Sequence, residues 1–294
     1  MNDEPGKIVF RLLGPLSICL NGTEVTPSAT KQRQVIALLA LNAGHVVTVP
    51  TLVEELWGAS PPRSSATTLQ TYILQLRNRL SAAAATDSDA RTMISTRHGG
   101  YLLEADCCQV DLPEFMNLAR AGRAAAEAGD HLTASDLLGR ALALWRGSAL
   151  ADMRLGPVLE LDAESLEAAR MGVLERRIRV DLALGRHTDL LGELMLLAAK
   201  NPMNENFCAL LMIALYRCGH VGRALETFRR VRTVLRHELG VEPCPRLQRL
   251  QQRILSGDPA LEHGEPAMSD SDRASQNGRG RLAMNASGRG MMGR

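Results

Sequence analysis

Along residues 66–80 the apolar side chains Leu69, Ile73, Leu76 and Leu80 recur at steps of four, three and four, which is one stripe of a helix. The other side, with Thr67, Thr71, Leu74, Gln75 and Asn78, holds no acidic residue, whereas an ordinary solvated face mixes in Glu or Asp. Upstream, residues 8–26 alternate with period two. Ile8, Phe10 and Leu12 share a face, Gly14-Pro15 breaks the pattern, and Leu16, Ile18 and Leu20 follow before Asn21-Gly22. This predicts a small sheet with a tight hairpin. Val35, Ile36, Leu38 and Leu39 then fall on helical spacing within residues 31–42, ahead of Gly44. A second helix begins near Thr48-Val49-Pro50, carries Leu52, Val53, Leu56 and Trp57, and stops at Gly58. A loop with Pro61-Pro62 leads into the third helix, which Ser64 or Ser65 can cap. After an alanine linker, residues 93–104 read as a hairpin, with Ile94 and Tyr101-Leu102-Leu103 flanking a Gly99-Gly100 turn. Small sheet, three helices and β-hairpin make the order of a winged helix-turn-helix, and the acid-free helix occupies the recognition position.

From Asp111 the pattern is almost wholly helical, and it repeats. Segments 125–138, 181–194 and 215–228 each hold a glycine, Gly129, Gly185 and Gly219, before a new apolar helix. Gly185 and Gly219 are 34 positions apart, the tetratricopeptide period. Ala224 and Phe228 supply the Ala-x-x-x-Phe element, Pro202 closes the middle unit, and Gly122 and Ala134 are small where paired helices approach. Gly129 and Gly185 are spaced more widely, so an inserted connection or extra helix is expected near 145–167. Beyond Asp258 the composition turns to Gly, Ser, Arg and Met without periodicity, which predicts disorder. The expected chain is mainly α. Residues 1–7 form a disordered start, 8–106 a winged helix, 111–258 an all-α tetratricopeptide-like repeat domain, and 259–294 a disordered tail.

The 294 residues, 45% of them apolar, suit two domains, and a net charge of +2 makes bulk charge uninformative about partners. Apart from Lys7, Lys31 and Lys200 the basic residues are arginines, which reflects coding bias as readily as function. The start, Met1-Asn2-Asp3-Glu4, carries acid where a secretory signal carries base, and no apolar run suits a bilayer. A cytoplasmic protein is expected. Among the 6 cysteines no pair has Cys-x-x-Cys spacing, so reduced, mostly buried thiols are expected. The 7 histidines form no metalloprotease pattern, and Cys218-Gly219-His220 lies at an interhelix turn where the glycine is structural. No enzyme, cofactor or metal is expected.

Five stretches together resemble a known plan. They are Lys31-Gln32-Arg33, Leu56-Trp57-Gly58, Thr68-Leu69-Gln70-Thr71-Tyr72 through Leu76-Arg77, Gly100-Tyr101, and His237-Glu238-Leu239-Gly240-Val241-Glu242-Pro243. The plan is an OmpR/PhoB-type winged helix joined to a bacterial transcriptional activation domain, as in the Streptomyces antibiotic regulatory protein family. The resemblance covers residues 8 to about 256. It implies an activator of secondary-metabolite gene clusters that binds direct repeats in promoter DNA, contacts RNA polymerase including its sigma factor, and acts as a homodimer on DNA. Leu74 and Gln75 stand where many OmpR-type helices place Arg, which implies a different base code. No phosphoacceptor receiver precedes the winged helix and no Gly-x-x-x-x-Gly-Lys loop follows the repeats.

The resemblance further implies DNA contacts at Thr67, Thr68, Thr71, Tyr72, Leu74, Gln75 and Arg77 of the recognition helix and at Ser95 and Arg97 of the wing. The chemistry agrees: Gln pairs with adenine, Thr and Leu methyls suit a thymine methyl, and Arg suits guanine or phosphate. Lys31 and Arg33, with free amides at a helix start, suit a phosphate. Plainer readings make Arg77 and Arg79 helix-end cations and Arg97 a solvated hairpin residue. The rival to a DNA reader is a tetratricopeptide adaptor whose winged helix binds protein, and the acid-free face discriminates against it.

Overall fold

The computed structural model describes residues 7–83 and 93–263, and it divides into two compact units, Met1–Gly185 and Arg186–Arg294. In the first unit, strand β1 (Ile8–Arg11) pairs antiparallel with β2 (Ser17–Leu20), setting Phe10 opposite Ile18. Strand β3 (Thr23–Glu24) pairs with β2 across Asn21 and Gly22, both at positive φ, as a two-residue turn of this hand requires. Helix α1 spans Thr30–Leu41. Strand β4 (Val46–Thr48) follows, and then α2 (Val49–Trp57), whose first turn is capped by the Thr48 hydroxyl accepting from the Thr51 N–H. Helix α3 spans Ser65–Ala83.

The wing is strands β5 (Ile94–Arg97) and β6 (Gly100–Leu103), with Gly99 at φ +78 in the turn and Gly100 already in the strand. The expectation named a hairpin alone. Strand β4 adds a third strand, in the order β4-β6-β5, and it is too short to leave a periodic signature. A Cβ at Gly100 would collide with the Val47 carbonyl, so this pairing requires glycine. The stripe of α3 is buried as its spacing predicts, with Leu69, Ile73, Leu76 and Leu80 each 1% exposed against the α1 and α2 core. Burial of each such side chain contributes about 1.5–3 kcal/mol.

A 3-10 turn at Ala105–Cys107 leads to β7 (Cys108–Val110), which returns to pair parallel with β1. Helices α4 (Asp111–Glu127) and α5 (His131–Ala143) form a hairpin around Gly129 at φ +80. A Cβ at Gly122 would stand 2.7 Å from the Leu138 side chain, which explains the small residue expected at this crossing. The wider spacing between Gly129 and Gly185 is accounted for by an irregular stretch, residues 144–156, and a long helix, α6 (Pro157–Ala183).

Three carboxylates fasten the winged helix to the segments C-terminal to it. Asp111, 3% exposed, accepts from the Leu12 and Leu13 N–H groups at 2.9–3.0 Å. Asp152 accepts from Leu16 at 2.8 Å and pairs with Arg33. Glu55 of α2, 2% exposed, accepts from the N–H groups of Gly156, Val158 and Leu159 at the start of α6 and from the Gln34 amide. Burial pushes the Glu55 and Asp111 carboxyls above their ordinary range, against the N–H donors that pull them down. The compact units divide at Gly185, so the helices of residues 111–183 share a unit with the winged helix.

In the second unit, α7 (His187–Lys200), α8 (Glu205–Arg217), α9 (Val221–Leu239) and α10 (Pro245–Leu255) pack around α8, which is buried continuously from Phe207 to Leu215. Gly240, at φ +69, ends α9, and Glu242 then bonds back to Arg232 at 2.6 Å, so the motif around residues 237–243 is a helix stop. The tail expected to be disordered from 259 instead begins with α11 (Ala260–His263). Leu261 is buried there and its carbonyl accepts from Arg217 Nε, an anchor that composition does not reveal. Residues 1–6 and 264–294 lie outside the described residues. All six cysteines are unbridged, and burial pushes the Cys108 thiol up to about 12.

Candidate nucleic-acid interface

Helix α3 presents three zones. Thr67, Thr71, Leu74 and Asn78, at i, i+4, i+7 and i+11, run down the middle of the exposed face, with Leu74 56% exposed. Asn78 therefore belongs to this face, although the resemblance does not mark it as a contact. Thr71 donates its hydroxyl to the Thr67 carbonyl at 3.1 Å and Thr68 donates to Ser64 at 3.0 Å. Their hydroxyls are engaged within the chain, so Thr71 offers a partner chiefly its methyl. Thr68 and Tyr72 lie half-buried to one side of this line.

The flanks are tied to neighbouring elements. On one side Gln75 accepts from Gln32 Nε2 of α1 at 2.5 Å. On the other, Arg77 donates from Nε to the Ile94 carbonyl at 2.8 Å and from Nη2 to the Thr96 hydroxyl at 2.9 Å. Arg77 thus joins α3 to the wing strand β5, a role that helical spacing could not disclose. Arg79 reaches the Thr26 carbonyl at 3.5 Å.

In the wing, Ser95 and Arg97 meet on one carboxylate oxygen of Glu104, at 2.7 and 2.8 Å. The Arg97 side chain remains 53% exposed, next to exposed His98 and Gly99. Glu104 is not among the expected site residues, since residue order alone does not show that it meets Ser95 and Arg97 across the hairpin. Lys31 and Arg33 stand elsewhere. Lys31 donates to the Leu56 carbonyl, and Arg33, 16% exposed, is paired with Asp152. Both cations hold the first turn of α1 in place. The outer face of α3 is consequently without acid along its length, and the wing's Glu104 is matched by Arg97. Among the described residues no group of three or more His, Cys, Asp or Glu is arranged for a metal, and no helix is long and apolar enough to cross a membrane.

The family model described as transcriptional regulatory protein, C terminal, matches residues 22–103, and that of the bacterial transcriptional activator domain matches 110–255. Regulatory protein DnrI of Streptomyces peucetius is 49% identical over 259 residues, 87% of this chain and 95% of that protein. The chain belongs to the Streptomyces antibiotic regulatory protein family. Transcriptional regulator RedD of Streptomyces coelicolor is 38% identical over 257 residues, 87% of this chain and 73% of its own. The structure of Mycobacterium tuberculosis EmbR in complex with a low-affinity phosphopeptide superposes with a TM-score of 0.80 at 31% identity, over 92% of this chain and 68% of that one. This member of the antibiotic regulatory protein family is a DNA-binding transcriptional activator with a winged helix followed by a helical activation domain.

Proposed function

We propose that this activator serves an antibiotic or other secondary-metabolite gene cluster and that α3 lies in the major groove at direct repeats in the promoter. Thr71 and Leu74 meet thymine methyls there, Gln75 and Asn78 meet base-edge donors and acceptors, and Arg97 follows the phosphates from the wing. Two protomers occupy adjacent repeats. Residues 8–106 find the promoter and residues 111–258 recruit RNA polymerase, including its sigma factor. The protein works in the cytoplasm on the nucleoid and acts by binding alone.

The observation that carries this reading is the acid-free outer face of α3, with an exposed leucine between threonine and amide side chains. Such a face suits a polyanion whose groove is lined with methyls and amide-like edges. Leu74→Glu tests it, since a carboxylate at an exposed position leaves the core untouched and faces the phosphates. Footprinting of the promoters of neighbouring genes supplies the DNA. By fluorescence anisotropy, Leu74→Glu should melt as the parent does and lose at least about tenfold in affinity for the footprinted fragment. Parent-like affinity in that variant would remove α3 from the interface and favour a protein-binding winged helix.

A further inference from the structure

Gln32 stands between two anchored neighbours. Lys31 is bonded to the Leu56 carbonyl and Arg33 to Asp152, so the first turn of α1 is held on both sides and presents Gln32 on a fixed backbone. From there its Nε2 donates to Oε1 of Gln75, 43 positions along the chain. The two ends of an amide do different things in a major groove. The NH2 end seeks N7 or O6 of guanine, N7 of adenine or O4 of thymine, whereas the oxygen seeks the amino groups of adenine or cytosine. With a donor from α1 on Oε1, the acceptor end of Gln75 is turned toward α1, and the NH2 end is the one left for DNA.

We propose that Gln32 is a positioning residue that fixes the Gln75 amide donor-end outward and so biases base choice at one pair toward an acceptor-bearing edge. The proposal rests on α3 reading the major groove. It assigns specificity to a residue outside the recognition helix. Gln32→Ala and Gln32→Met both remove the donor, the second keeping side-chain length, and leave Gln75 to turn either way. Gln32→Glu places an acceptor-only carboxylate against Gln75, which then turns its NH2 inward and shows its oxygen to the DNA.

The test uses the full chain, the footprinted fragment, and fragments in which each base pair of one repeat is replaced in turn by the other three. Gln75→Ala should lose discrimination at one pair. At that same pair Gln32→Ala and Gln32→Met should lose about three- to tenfold in discrimination, the factor of one hydrogen bond, with the salt slope unchanged. Gln32→Glu should shift the favoured base there to adenine or cytosine, on top of a uniform weakening from its charge. If Gln75→Ala loses discrimination while all three Gln32 variants keep the parental ranking, the positioning role is overturned and the groove reading stands. If Gln75→Ala also keeps the parental profile, Gln75 reads no base and the positioning role falls, while the loss or retention of affinity in Leu74→Glu decides the groove reading separately.

Discussion

At the tip of the wing, Arg97 shares one oxygen of Glu104 with Ser95 through a single Nη2 contact, and most of its guanidinium stays in solvent. An arginine has five N–H donors, so the pair leaves it able to meet a phosphate while fixing where it points. Arg97→Ala should therefore weaken cognate and scrambled DNA alike and lower the salt slope by about 0.9, the contribution of one neutralised phosphate. Glu104→Gln should act with the opposite sign and strengthen binding to both DNAs, because it removes the charge that offsets Arg97. Salt titrations by anisotropy on the two DNAs read both effects. A loss confined to cognate DNA in Arg97→Ala would make it a base reader and end the phosphate role.

Helix α3 and the wing behave as one body because Arg77 bonds to two acceptors on β5. A lysine keeps the charge but lacks the planar fork that sets Nε and Nη2 on the two acceptors at once. Arg77→Lys should thus resemble Arg77→Ala, each lowering stability by about 1–2 kcal/mol in urea titrations and weakening DNA binding through a loosened wing. If Arg77→Lys binds DNA as the parent does, the arginine serves as a plain cation and the clamp is unimportant. Elements of this size were largely legible in the sequence. Leu69, Ile73, Leu76 and Leu80 repeat often enough to declare a helix and its buried face, and the Gly99-Gly100 pair between apolar runs declares the wing turn, where Gly99 takes a positive φ. Strand β4 was not legible, since three residues carry no period. The side chains that orient the face escaped as well. Gln32 and Gln75 are 43 positions apart, and amide polarity leaves no mark on a hydrophobic pattern.

Over the larger compact unit, the winged helix is joined to the next helices by a set of acids that look like surface residues in sequence. Glu55 finds its partners at Gly156 to Leu159, up to 104 positions away, and Asp111 finds its own at Leu12 and Leu13. A fragment ending at residue 110 would lose the α6 N–H groups that Glu55 binds and the acceptor of Leu12 and Leu13, and would open to water the core face that Leu150 and Leu159 cover, each such leucine contributing about 1.5–3 kcal/mol. A fragment ending at 185 keeps every one of these bonds. We expect the 185-residue fragment to melt cooperatively and bind promoter DNA, and the 110-residue fragment to melt at least about 10 °C lower. Equal melting temperatures in calorimetry would mean that these carboxylates contribute little to the fold. The Glu55 seat also sets an order of events during synthesis. When the ribosome has released only α3, the N–H groups that complete the Glu55 seat on α2 have yet to be made. The promoter-reading half of this protein thus reaches its full stability only after Leu159 has emerged, and a message truncated before that codon yields a weakened DNA binder.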